Sequence, residues 1–461
     1  MIILSYSEII FIVLFFYLYY TWNLENMIIV ILILLGINIY FSLKKFRKRM
    51  TYLIFLLSFF SFFLGRMVAD YLEKGKVIFT FSEEISRHIL LSIFLSLIFL
   101  QLGFSLCEKF NKRKISIQIN YFSVRRNIIQ KTSLIFFMIS SCIYNLLKIE
   151  QIIFIKKYSY LELYTDFSSH LPKIIQIIGN SYIIYFYIYL ATNPPILKLK
   201  RIIYLFYINT FLILLSGDRG EFFLNVLTLL IYIFRREYLT RRKIIKKKYI
   251  IIGIILLPII ISGMSYLVYL REGIDIGQKN ILKQFIRFFR VTGNTVDILG
   301  YGKLFERYFD NYLYSLGEVI EYFKYNPISV YLNGYIKPQM HTKEYIETMR
   351  SYSHLISYYI SPQNYLKGHG RGSSYLAEIY QDFGYIGICL GSFIYGWFLS
   401  KIYYIKNSKI ISIAICFLIL RVFFYIPRGP ALLPILVLIN LTYIFAVLFQ
   451  FIVIKIFQKS K

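Results

Sequence analysis

Long apolar runs separated by short polar segments set the pattern of this chain. Runs rich in Ile, Leu, Phe and Tyr cover 2–20, 27–43, 51–69, 88–106, 133–149, 174–192, 202–216, 221–234, 249–269, 384–402, 409–426 and 431–454. A helix needs about 20 such residues to cross a hydrocarbon core about 30 Å thick. Inside lipid only helices and closed barrels satisfy their own backbone groups. The pattern predicts an all-α polytopic membrane protein with about twelve transmembrane helices. The first run is too long for a signal-peptide core and lacks a small-residue cleavage site, so it is expected to stay in the mature chain. One stretch, 271–383, carries no spanning run. The predicted organisation is therefore transmembrane helices over 1–270, a large external loop over 271–383, and the remaining transmembrane helices over 384–461. Within the loop, 278–289 and 310–325 show helical spacing of apolar residues, which predicts short interfacial helices.

Composition sharpens this. Of 461 residues, 57% are hydrophobic and only 17% charged, with a mean hydropathy of +0.59. So much apolar surface excludes disordered, collagenous and small secreted classes. The net charge of +29 invites a nucleic-acid reading, but position argues otherwise. Segments 44–49, 109–131, 198–201, 235–248, 401–409 and the tail from Lys455 hold 29 Lys and Arg, whereas the alternate short loops hold nine. Such an asymmetry orients membrane proteins and puts both termini in the cytoplasm, an arrangement that needs an even number of spans. The external stretch is nearly neutral, with 13 basic and 11 acidic residues. Cys107, Cys142, Cys389 and Cys416 lie in or beside apolar runs without paired spacing and read as packing residues. His88, His170, His341, His354 and His369 show no metal-ligand spacing, and neither a Walker loop nor an Asp-x-Asp is present. No metal or cofactor is called for.

Three Arg-Gly dipeptides stand out: Arg219-Gly220, Arg371-Gly372 and Arg428-Gly429. On the topology above each lies outside, just before a descending helix. Asp218 and Glu221 have capping-box spacing, Pro430 suits a first helical position, and Ser373 and Ser374 are capping hydroxyls. Free N–H groups at a helix start, a glycine that lets an anion approach, and an arginine fork together suit phosphate oxygens. Arg219, Gly220, His369, Arg371, Gly372, Ser373 and Arg428 are thus candidates for a pyrophosphate site. The competing reading of each is a tight turn with a snorkelling arginine.

Ser374, Glu378 and Asp382 recur at helical spacing and share one face. Glu378 and Asp382 are candidates for a general base or for ion-pair partners of the arginines. Arg421 lies inside an apolar run, where a charge costs about 2.5–3.5 kcal/mol unless partnered. Glu8 and Glu221 are candidate partners, and snorkelling to nearby headgroups is the alternative. Arg271, opening the long loop, is a further candidate.

The stretch from Gly368 through Arg371-Gly-Ser-Ser-Tyr-Leu-Ala-Glu378-Ile-Tyr-Gln-Asp-Phe-Gly384 to Gly387 resembles the signature of Wzy-type oligosaccharide repeat-unit polymerases of O-antigen and capsule pathways. In these a Gly/Ser-rich turn precedes an Ala-Glu-Ile/Leu-Tyr-x-x-Phe-Gly helix after the large periplasmic loop. Ser216-Gly-Asp-Arg219-Gly-Glu221 is similar to the family's second arginine motif. The resemblance implies a GT-C-like glycosyltransferase of the bacterial cytoplasmic (inner) membrane, independent of metal and nucleotide. It implies a donor glycan on undecaprenyl pyrophosphate, a lipid-linked repeat unit as acceptor, and catalytic roles for Arg219, Arg371 and Glu378. A chain-length regulator and a flippase of the same pathway are implied partners; nucleic acid is not. An O-antigen ligase shares this architecture and donor. A flippase would place broken or charged helices at mid-membrane, and a structural subunit would need no outer arginines.

Overall fold

A computed structural model describes residues 6–111, 124–158, 162–241, 243–272, 280–310, 312–405 and 409–459, and these are helical with no strand among them. Among the described residues, seven helices are long and apolar enough to cross a bilayer: Leu24–Lys44, Phe46–Lys74, Glu83–Phe110, Val124–Lys157, Lys173–Ala191, Tyr375–Tyr404 and Leu441–Gln458. The other apolar runs also fall on helices, namely Tyr6–Tyr20, Ile196–Leu215, Arg219–Thr240, Lys247–Glu272 and Ile410–Phe423. The protein is a polytopic helical membrane protein. The start of the first run, the basic segment 112–123, residues 278–279, and the side chains of Glu8 and Arg271 lie outside the described residues.

The chain forms two compact units. One comprises Met1–Arg113, Asn280–Lys401 and Phe424–Leu433; the other comprises Lys114–Lys279, Ile402–Phe423 and Pro434–Lys461.

At the centre of the first unit the helices Glu83–Phe110 and Tyr375–Lys401 run against each other. Glycines let them touch. A Cβ built on Gly103 would stand 2.0 Å from the Phe393 carbonyl oxygen, and one on Gly396 would stand 2.0 Å from that of Leu100. Small residues are how transmembrane helices bring their backbones together. One end of this unit is basic: Lys48 and Arg49 clasp Glu108 at 2.8 and 2.6 Å, and Lys401 reaches Asn111 at 3.5 Å.

The other end of the first unit carries the loop, folded into short helices that include Ile281–Thr292, Asp297–Leu304, Tyr314–Tyr325, Pro327–Asn333 and Tyr352–Ile360. Both predicted loop helices are there. The loop is pinned by ions. Arg66 pairs with Asp297 and donates to Thr80 at 2.6 Å, while Arg290 pairs with Asp70 at 2.9 Å and Glu73 at 2.5 Å. Gly293 presses so closely on Arg66 that an added Cβ would lie 2.4 Å from its amide nitrogen.

In the second unit the helix Tyr182–Ala191 is buried along its whole length. Phe186 stacks on Phe206 with centroids 4.0 Å apart. Gln450 donates to Thr132 at 2.6 Å. At the basic end of Arg219–Thr240, Glu237 accepts from the amides of Ile244 and Ile245 at 2.6 and 2.7 Å, folding the lysine-rich segment back.

Three apolar runs differ from straight spans. Run 174–192 is split at Ser181, and run 431–454 is split at Asn440, whose side chain accepts from the Thr442 amide at 2.9 Å and starts a new helix. The run beginning at 384 belongs to a helix that already starts at Tyr375 and bends at Gly384, where φ is +60° and ψ −151°. Only glycine adopts that backbone readily, at a cost of about 1–3 kcal/mol for other residues. No atom lies within 4 Å of an added Cβ. Gly384→Ala is therefore expected to lower thermal stability through backbone strain alone, and a melting temperature equal to that of the unaltered protein would contradict it.

Candidate functional site

The Arg371 turn is built by glycines. Gly368 and Gly372 have φ of +89° and +82°, which glycine takes at no steric cost. The Arg371 amide donates to Ser357 Oγ at 2.9 Å, leaving its side chain exposed. Beside it lies an open pocket of about 330 Å³, lined by Ser357, Ser361, Asn364, Tyr365, His369 and Arg371. On the other flank of Gly372 stands Arg428: its Nε lies 3.9 Å, and its carbonyl oxygen 3.7 Å, from where a Cβ of Gly372 would be.

Glu378 joins these two turns. It is 1% exposed; one oxygen accepts from Ser373 Oγ at 2.5 Å and the other from the Ala431 amide at 2.8 Å. A buried carboxylate with both oxygens satisfied by donors is a strong tie. This bond also explains a departure from the expected helix start at Pro430. The Ala431 amide turns to Glu378, Gly429 is extended, and the helix begins only at Leu433. Asp382 has a separate task. Its two oxygens accept from the amides of Tyr314 and Ser315 at 2.7 and 2.9 Å, capping the loop helix Tyr314–Tyr325.

Arg371 also acts electrostatically on Asp297. Burial raises the Asp297 carboxyl above its ordinary range, and Arg66 and then Arg371 work in the opposite direction. The loop holds a second acidic group of note. Burial and the neighbouring Glu321 push the Glu318 carboxyl up to about 7, against Ser351 and Lys337. Glu321 in turn accepts from Tyr345 Oη at 3.0 Å. Because the folded state holds the Glu318 proton more tightly than the unfolded chain, this group's contribution is present at acid pH. It is lost as pH rises from the ordinary carboxyl range to about 7. Glu318→Gln is expected to flatten the dependence of melting temperature on pH across that window, and an unchanged slope would refute this account.

The second unit holds the remaining candidates. Asp218 accepts from the Glu221 amide at 2.9 Å and starts the helix with Arg219 as its first residue, Gly220 following. Glu221 turns its own carboxylate to Arg421, which also donates to Asn225 at 2.8 Å. The charge within the apolar run has the Glu221 partner considered for it.

The structure thus brings Arg371, Gly372, Ser373, His369, Arg428 and Glu378 together in the first unit. Arg219, Gly220 and Arg421 belong to the second. Sequence reasoning passed over Ser357, Ser361, Asn364 and Tyr365, whose positions carry no periodic or motif signal. It also passed over Arg66, although a charge inside run 51–69 was a legible sign of a partner.

The geometry is that of a helical membrane protein with an arginine-bearing pocket where a folded loop meets membrane helices. A family model, O-antigen polysaccharide polymerase Wzy, matches residues 2–461. The chain belongs to this family of O-antigen repeat-unit polymerases, whose reaction is glycosyl transfer. No curated protein and no solved structure matches the chain significantly.

Proposed function

We propose that this protein extends a surface polysaccharide by joining oligosaccharide repeat units carried on undecaprenyl pyrophosphate, at the outer face of the bacterial cytoplasmic membrane. The observation that carries the reading is the pairing of the Arg371-Gly372 and Arg428-Gly429 turns through the buried carboxylate of Glu378. The charge asymmetry supports the orientation. It assigns the basic ends of the helices to the cytoplasm, and the loop with its arginine pocket to the outside.

In the proposed reaction a hydroxyl of the lipid-linked acceptor unit attacks the anomeric carbon of the donor glycan. A new C–O bond forms there as the bond to pyrophosphate breaks, and the hydroxyl proton passes to solvent or to the leaving group. Arg371 and Arg428 stabilise the charge growing on the pyrophosphate through their planar forks. His369 completes the anion's surroundings, while Ser373 holds Glu378. Glu378 positions the two turns, and Asp382 positions the loop. A flippase supplying repeat units and a chain-length regulator are the partners this reading calls for.

Deletion of the gene tests it. The expected phenotype is a surface glycan reduced to single repeat units. Undecaprenyl-linked long chains that fail to reach their final acceptor would identify a ligase instead, and an unaltered glycan would refute both.

A further inference from the structure

The second unit contains a pocket of about 350 Å³, inside the roughly 300–1,000 Å³ range of small-molecule sites. Three helix ends and the break at Asn440 converge on it. Its lining includes Tyr144, Gln151, Gln176, Asn180, Glu221 and Asn440. We propose that this pocket binds a sugar ring of the lipid-linked substrate, a proposal that rests on the polymerase reading and adds a glycan subsite to it.

The chemistry of the lining selects a neutral, hydroxyl-rich ligand. Side-chain amides offer a donor and an acceptor on one group, and those of Gln151 and Asn180 make no hydrogen bond among the described residues. Gln176 is fixed by its donation to the Leu171 carbonyl at 2.7 Å, and Asn440 by its bond to the Thr442 amide. Glu221 is held by Arg421 through one oxygen, which leaves the other to accept from hydroxyls. Tyr144 and Tyr182, stacked with centroids 4.1 Å apart, supply the aromatic part of the lining. An anion fits poorly. Lys148 is the one cation in the lining, 5.5 Å from the Tyr144 ring centroid, and Arg421, which pairs with the lining residue Glu221, is committed to it and to Asn225.

The test uses the full-length protein in nanodiscs and two probes: free oligosaccharide released by mild acid from the same bacterium's lipid-linked repeat units, and inorganic pyrophosphate. Gln151→Ala and Asn180→Ala remove pocket groups without touching the helix core. Each is expected to weaken oligosaccharide binding about five- to tenfold, the loss of a buried hydrogen bond or two, with pyrophosphate binding unchanged. Arg371→Ala is expected to do the reverse. Absent oligosaccharide binding, or affinity unaltered in both pocket variants, overturns the glycan subsite. Pyrophosphate binding that ignores Arg371 overturns the arginine site while leaving the pocket result standing.

Discussion

Replacing Arg371 and Arg428 together by lysine is expected to stop polymer growth in a protein that still inserts and folds. Lysine keeps both charges. It loses the planar forks that can hold two phosphate oxygens at once, and an ammonium is the more strongly hydrated cation. Removing one donor aimed at developing charge typically costs about a hundred- to thousandfold in rate, so the double change should leave polymer below detection. Among the described residues neither side chain makes a hydrogen bond that holds the fold. Arg371 is anchored by its amide to Ser357, and the two turns are tied through Glu378. Membrane-extracted protein should therefore melt near the temperature of the unaltered chain. Full-length polymer from the double lysine variant would refute the arginine site. Polymer loss accompanied by loss of the protein would point to a structural role.

Gly103→Leu and Gly396→Leu are expected to have the largest effects on folding. Each glycine faces a carbonyl of the opposing helix at a distance no real Cβ tolerates, so the helices Glu83–Phe110 and Tyr375–Lys401 must separate to admit a side chain. Overpacking a tight interior costs about 1–3 kcal/mol and more when backbone opposes the insert. Separation would also shift Tyr375, whose hydroxyl bonds Ser96 at 2.6 Å across the same interface. The measurement is the amount of folded protein recovered from membranes. Normal recovery of both variants would show that the contact is looser than its geometry.

The helices were legible because lipid imposes a crude, repeated demand that each crossing be long and apolar. The breaks were not. Ser181 and Asn440 are among several polar residues scattered in apolar runs, such as Gln176, Asn180, Thr442 and Gln450, and which of them ends a helix depends on what it can bond nearby. The site was half legible. Arg371, Gly372 and Ser373 sit in a compact motif, and the Asp218 cap follows from local spacing. Arg428 approaches the Arg371 turn, and Glu378 reaches Ala431, 53 positions along the chain, separations that no periodicity encodes. Asp382 shared a helical face with Glu378, yet the two carboxylates serve different elements.

The ion pairs beneath the loop carry a consequence for engineering. Arg66, Asp70 and Glu73 sit on a membrane helix, and their partners Asp297 and Arg290 sit on loop elements hundreds of positions away. Asp382 similarly fastens Tyr314 and Ser315 to the helix that follows the loop. A loop exchanged between relatives to alter which glycan is made would arrive with mismatched charges, leaving half-buried ions on the recipient unanswered. The transferable module is larger than the loop. It should span 280–433 and bring matching residues at 66, 70 and 73, and chimaeras cut at the loop's own ends should be recovered poorly.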